Sequence, residues 1–223
     1  MVEFEVYGRT AEGYLATPES GHGPGVIVLH AWWGLTPFFK GVCDRLAAEG
    51  FVAFAPDRYG GPTASTAEEA ETLQRTREDP GRTEDLLVAS VEFLRGHETV
   101  DGSGLGALGF SAGAAWGLLL STLKPQHVQA VVAFYGSVQM EYTAARAAYL
   151  GHFAEEDEWE PDEEVRGTEA ALHAAGREVT FYTYPGTRHW FFEEDRPGYY
   201  DPEAARLAWE RTVDFLRARL GPA

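Results

Sequence analysis

Five consecutive residues, Gly109-Phe110-Ser111-Ala112-Gly113, spell G-x-S-x-G. They follow an apolar run and precede an Ala- and Leu-rich one, the strand–turn–helix setting in which a serine becomes a nucleophile. So tight a turn strains the serine backbone and admits only glycine-sized neighbours two residues before and after it. It also puts Ser111 at a helix N-terminus, where free N–H groups and the positive dipole end favour a developing oxyanion. The chemistry is acyl transfer. Outside that setting the same residues make a glycine-rich turn with a solvent-facing serine, so the partners of Ser111 decide the matter.

A serine hydroxyl is a poor nucleophile without an adjacent base. In this motif class the chain order is Ser, then acid, then His. Of the seven histidines, His22, His30 and His97 precede Ser111. His127 lies just before a strand, at the wrong end of a sheet. His152 sits inside a strand pattern, and His173 falls in a helix pattern as a surface residue. His189 follows a strand across the loop PGTR and precedes WFF. That places it at the C-terminal edge of a parallel sheet, where open α/β sheets bind ligands. The acid is expected in the loop AEEDEWEP, which offers Glu155, Glu156, Asp157, Glu158 and Glu160. The shorter side chain of Asp157 orients an imidazole more tightly, yet the residues alone leave five candidates. An oxyanion hole needs a second N–H from the loop after an earlier strand. His30-Ala31-Trp32-Trp33-Gly34 is that loop, with the backbone N–H groups of Trp32 and Ala112 as donors. Trp32 and Trp33 wall the pocket with apolar surface, although Trp33 suits the core equally well.

These residues need a scaffold that brings strand ends together. EFEVYG and TAEGYLATP read as an N-terminal hairpin. GVIVLH (25–30) and FVAFAP (51–56) are continuous apolar runs, as expected of strands buried on both faces. Strands are also expected at 104–110, 128–136, around 147–153 and in EVTFYTYP. Helical spacing covers 38–50, closed by Gly50, then Thr83–Arg95, Ala112 onward, 161–176 and 202–220. A loop, DRYGGPT, opens the segment 57–80, followed by an acidic helical stretch. Strands alternating with helices predict a mainly parallel sheet covered on both faces. No repeat or linker interrupts the chain, so one α/β domain over 1–223 is expected.

The chain carries 18 Lys and Arg against 35 Asp and Glu, a formal charge of −17. Such a surface repels phosphate backbones and anionic membranes, so no nucleic-acid or membrane partner is expected. The 44% hydrophobic and 24% charged fractions suit a soluble globular chain. Cys43 is the single cysteine, in a helix pattern far from the elbow, and reads as a small core residue. The N-terminus lacks the basic and apolar stretches of a secretory signal, and the default expectation is cytoplasmic. No His, Cys and Asp cluster has ligand spacing, so no metal or cofactor is expected. Oligomeric state is left between monomer and homodimer.

The motifs together resemble the dienelactone hydrolase family of α/β hydrolases over nearly the whole chain. They run H-x-x-x-G at His30–Gly34, A-P-D-x-Y at Ala55–Tyr59, G-F-S-x-G at 109–113 and G-x-x-x-x-x-D-x-x-x-P at Gly151–Pro161. Y-P-G-x-x-H-x-F follows at Tyr184–Phe191, then Tyr200-Asp201 and A-W-x-R at Ala208–Arg211. The resemblance implies the α/β-hydrolase fold. It selects Asp157 from the five acids, because the family's acid lies four residues before a proline.

Three departures shape the expected reaction. The family nucleophile is usually cysteine, and Ser111 stands there. A glutamate usually follows the loop histidine, and Ala31 stands there. These changes agree, because a thiolate needs control of its ionisation whereas serine is deprotonated only during attack. Family members acting on dienelactone hold its carboxylate with arginines near the A-P-D-x-Y loop and shortly after the histidine. Here Gly60-Gly61 and Glu193-Glu194 occupy those places, leaving Arg58 and Arg188 as the nearby cations. The expected pocket residues are Trp33, Arg58, Tyr59 and Trp190, and the expected substrate is a small ester or lactone with an apolar part. Strict dienelactone hydrolysis, a non-catalytic binding protein on the same fold and acyl transfer to another alcohol are the rival readings.

Overall fold

A computed structural model describes residues 1–221, the Ser103 side chain excepted. The chain opens with β1 (Val2–Val6) and β2 (Arg9–Ala16), an antiparallel hairpin. Then come β3 (Gly23–Leu29), α1 (Pro37–Ala48), β4 (Val52–Pro56), α2 (Ala67–Arg77) and α3 (Pro80–Arg95). The central elbow joins β5 (Val100–Phe110) to α4 (Ala112–Leu123). β6 (Val128–Phe134), β7 (Ala148–Glu156), α5 (Asp162–Ala174), β8 (Val179–Arg188) and α6 (Pro202–Leu220) complete the order.

The strands form one eight-stranded sheet in the order β1-β2-β4-β3-β5-β6-β7-β8. β2 meets β4 antiparallel, and every pairing from β4 to β8 is parallel. Burial along β3 explains why. Val26 and Val28 face one core with Phe39 and Leu46 of α1 and Ala208 and Leu216 of α6. Ile27 and Leu29 face the other, with Leu87 and Val91 of α3 and Leu118 of α4. A strand apolar on both faces is stable only with helices on both faces, the arrangement expected of parallel sheets. Cys43 is buried in α1, and burial pushes its thiol up. Among the described residues no helix is long and apolar enough to cross a membrane.

Several boundaries differ from the sequence expectation for local reasons. α3 begins at Pro80 rather than Thr83, because the Asp79 carboxylate accepts from the Arg82 amide and proline fits the first helical position. α1 ends in a Schellman motif: Phe51 N–H donates to Leu46 O, Gly50 N–H to Ala47 O, and Gly50 takes φ +95°. β3 starts at Gly23, two residues before the expected 25–30 strand, because Gly23 pairs with Val100 of a longer β5. β8 runs through PGTR to Arg188, whose backbone pairs with Glu156 of β7.

Candidate active site

The register of the sheet sets the site. Leu29 pairs with Gly109, Phe110 with Phe134, and Phe134 with His152. One residue past those strand ends stand His30, Ser111 and Tyr135, side by side along the C-terminal edge. The Glu156–Arg188 pairing likewise leaves Asp157 and His189 as next neighbours beyond β7 and β8.

Ser111 occupies φ 51°, ψ −120°, a conformation that costs a non-glycine residue on the order of 1–3 kcal/mol. The surroundings hold it there. Its amide donates to Phe134 O at 2.9 Å. A Cβ on Gly109 would come within 2.3 Å of Gly113 O, and one on Gly136 within 2.2 Å of Ser111 O. A Cβ on Gly113 would meet the Leu29 and His30 carbonyl oxygens at 2.2 and 2.6 Å. The glycines at −2 and +2 are therefore steric requirements. Gly113 also seats the His30-Ala31-Trp32 loop against the first turn of α4. The Ala112 N–H belongs to that turn, where a helix has no internal acceptor for it.

The three expected side chains meet. The Asp157 carboxylate lies 2.7 Å from His189 Nδ1, and His189 Nε2 lies 3.0 Å from Ser111 Oγ. A carboxylate only accepts, so the imidazole proton belongs on Nδ1 and Nε2 is free to accept from the serine. Asp157 is fixed by the amides of Trp159 and Glu160, both 2.9 Å from its Oδ1. The other four acids have different tasks. Glu155 accepts from the Gly186 amide, Glu160 from Ser137, and Glu156 and Glu158 are exposed.

Four indoles crowd this edge. Trp32 lies 5.3 Å from Trp33, 5.1 Å from Trp159 and 6.1 Å from Trp190, ring centre to ring centre. Trp190, at φ +66°, sets its ring 5.1 Å from that of His189. Trp33 and Trp190 are buried, Trp32 half-buried, and Trp159 stands 47% exposed at the rim. Trp33 thus belongs to the core while its ring packs against Trp32 and Trp190.

Arg58 and Tyr59 are not brought to the triad. They line a separate cavity of about 610 Å³ with Arg9, Arg77 and Arg82. The Arg58 guanidinium is buried and engaged, donating to Glu78 at 2.9 Å and to the His30 carbonyl at 2.7 Å. Arg58 thus already has a carboxylate partner and braces the His30-Ala31-Trp32 loop through the His30 carbonyl. Arg188 is exposed over Tyr199 and lines a shallow cavity with Asp157 and His189. His30 donates from Nδ1 to Ala31 O, accepts the Arg58 amide at Nε2, and is held neutral by burial and by Arg58. Among the described residues no group of three or more His, Cys, Asp or Glu side chains is arranged to hold a metal ion.

Three residues beside the triad were not singled out from sequence for this site. Tyr135 packs 4.9 Å from the His189 ring, and its hydroxyl donates to Glu193, a fully buried carboxyl. Trp159 adds the outer indole. Tyr135 could have been found, since it follows β6 as Ser111 follows β5. A buried glutamate in the run WFFE carries no such signal.

Residues 11–220 match the model of the dienelactone hydrolase family. Protein usf of Aquifex pyrophilus is 38% identical, covering 99% of this chain and 98% of its own. A protein of Aquifex aeolicus, named provisionally as a carboxymethylenebutenolidase, is 36% identical over the same shares. In fold, the chain superposes on a dienelactone hydrolase-like promiscuous phosphotriesterase from metagenomic libraries with TM-score 0.86, at 23% identity over 99% and 97% of the two chains. The dienelactone hydrolase of Anabaena variabilis gives TM-score 0.73 at 21% identity over 98% and 96%. With this fold and this match, the chain belongs to the dienelactone hydrolase family and is a hydrolase of the α/β-hydrolase type.

Proposed function

We propose that this hydrolase cleaves small carboxylic esters or lactones through an acyl-enzyme on Ser111. The observation that carries the reading is the continuous hydrogen-bond chain from Asp157 through His189 to Ser111, at 2.7 and 3.0 Å. As Ser111 Oγ attacks the carbonyl carbon, His189 Nε2 takes its proton and Asp157 stabilises the imidazolium. The carbonyl oxygen becomes an oxyanion and rests on the N–H groups of Ala112 and Trp32. His189 then protonates the departing alkoxide oxygen. Water, deprotonated by the same nitrogen, attacks the acyl carbon and returns Ser111. Ala31 suits this course, because a carboxylate at that position would repel the oxyanion.

The aromatic wall supports a substrate with an apolar part. Dienelactone is an anion, and Arg58 is already committed to Glu78. The name of the Aquifex aeolicus relative favours a second reading, dienelactone hydrolysis. Comparing kcat/KM for p-nitrophenyl esters of rising chain length with that for dienelactone separates the two. The proposal expects the esters to be preferred and all turnover to vanish in Ser111→Ala. Preference for dienelactone would transfer the assignment to the second reading.

A further inference from the structure

Glu193 is one of the buried ionisable groups that the proposed reaction leaves unused. It is 0% exposed, beneath the catalytic edge, four residues after His189. Its Oε1 accepts from the Tyr135 hydroxyl at 2.9 Å. Its Oε2 has no hydrogen-bond partner and lies 3.7 Å from Arg196 Nε. Burying a carboxyl with one hydrogen bond is expensive, so a structural explanation must say what it holds.

What it holds is Tyr135. That residue sits at φ +37°, strained for a side chain of its size, with its amide donating to His152 O. Its ring lies against the His189 imidazole at 4.9 Å and 56°. The other neighbours of the His189 ring are Asp157 on Nδ1, Ser111 on Nε2 and the Trp190 ring at 5.1 Å and 84°. Tyr135 adds a further support, against the ring itself. Glu193 completes a loop of contacts, His189 to Tyr135 to Glu193, within one short segment whose Glu193 amide donates to Trp190 O at 2.9 Å. The neighbouring Arg196 guanidinium lies 3.6 Å over the Trp33 ring, so the same segment reaches the wall of the oxyanion loop.

We propose that Glu193 is a positioning residue for His189, acting through its hydrogen bond to Tyr135, whose ring sets the tilt of the imidazole toward Ser111. This rests on the Ser111–His189–Asp157 reading for its effect on turnover, but not for its effect on the ring. Burial raises Glu193 to about 8, only partly offset by the Tyr135 hydroxyl. A neutral amide is therefore a fair substitute, and it can bond the tyrosine hydroxyl in either orientation.

The test compares Glu193→Leu, Glu193→Gln, Tyr135→Phe and the Leu/Phe double variant. Readouts are kcat and KM on a short p-nitrophenyl ester, the melting temperature, and the His189 ring signals by nitrogen-15 NMR in a Ser111→Ala background. The expected result is a kcat loss of about tenfold or more in Glu193→Leu and Tyr135→Phe with KM little changed. The double variant should be no worse than either single one, and Glu193→Gln should restore most of the loss. The His189 signals should move in the Leu and Phe variants and much less in Gln. A role in folding alone would lower melting temperature without moving kcat or those signals. Additive losses, equal losses in Gln and Leu, or unmoved His189 signals would overturn the proposal. If Ser111→Ala kept its turnover the triad reading would fall, while the NMR arm would still decide whether Glu193 positions the ring.

Discussion

Two buried histidines stand on neighbouring strands of this sheet with opposite fates. His152 lies within β7, its Nδ1 2.8 Å from the Tyr184 hydroxyl and its Nε2 3.0 Å from Thr212 Oγ1. His189 lies one residue beyond β8, between a carboxylate and a serine. Both are buried and both use both nitrogens. The difference is the partner and the place. Burial lowers His152 to about 3, with the nearby Arg211 cation adding to the effect, so it cannot gather a proton near neutrality. His189 stands at the strand end, where in the proposed reaction Asp157 would stabilise its cation and a substrate would reach Ser111. Burial of a histidine says little about chemistry; a buried carboxylate on one nitrogen and a nucleophile on the other say much.

The sharpest way to break this comparison is to remove each ring in turn. His189→Ala is expected to lower kcat/KM on a short ester by on the order of 10⁴-fold or more, an effect far beyond its change in stability. His152→Ala should do the reverse. It empties a packed site beside Phe134 and strands two hydroxyls, costing about 2–4 kcal/mol in denaturant melts while kcat/KM changes by less than about threefold. If His152→Ala abolished turnover without loss of stability, the distinction would fail.

The next largest effect concerns the acid. Asp157→Asn should cost on the order of 10³–10⁴-fold in kcat, because an amide no longer favours the Nδ1-protonated imidazole or its cation. Glu158→Gln, next door and exposed, should leave kcat within about twofold.

The smallest effect is in stability against pH. Glu193 ionises at about 8 in the fold and near 4.5 when unfolded. Between those values the native state keeps a proton that the unfolded chain has released, so stability falls as pH rises through that window. Glu160, raised to about 7, adds in the same direction. Melting temperatures from pH 5 to 9 should therefore fall, and fall less in Glu193→Gln. Equal slopes would show that Glu193 is not the group responsible.

The residues show why part of this was legible in sequence and part was not. Ser111 and His189 announce themselves because glycines flank one and a strand end precedes the other, and both are local signals. The alternating cores of the central strands were visible as unbroken apolar runs. Asp157 could not be told from its four acidic neighbours by any local rule, since what selects it is the Glu156–Arg188 pairing that sets it opposite His189. The Arg58 ion pair was not legible, because its partner Glu78 lies twenty residues on, across α2, and no spacing reveals it. Glu193 and Tyr135 escaped for the same reason: their hydrogen bond spans 58 residues.

The central claim is that Ser111 is the nucleophile, activated by His189. A fluorophosphonate probe followed by peptide mass spectrometry tests it most directly. The account predicts one adduct, on the peptide carrying Ser111, formed far more slowly in His189→Ala and absent in Ser111→Ala. An unlabelled wild-type protein, or an adduct that persists in Ser111→Ala, would contradict it.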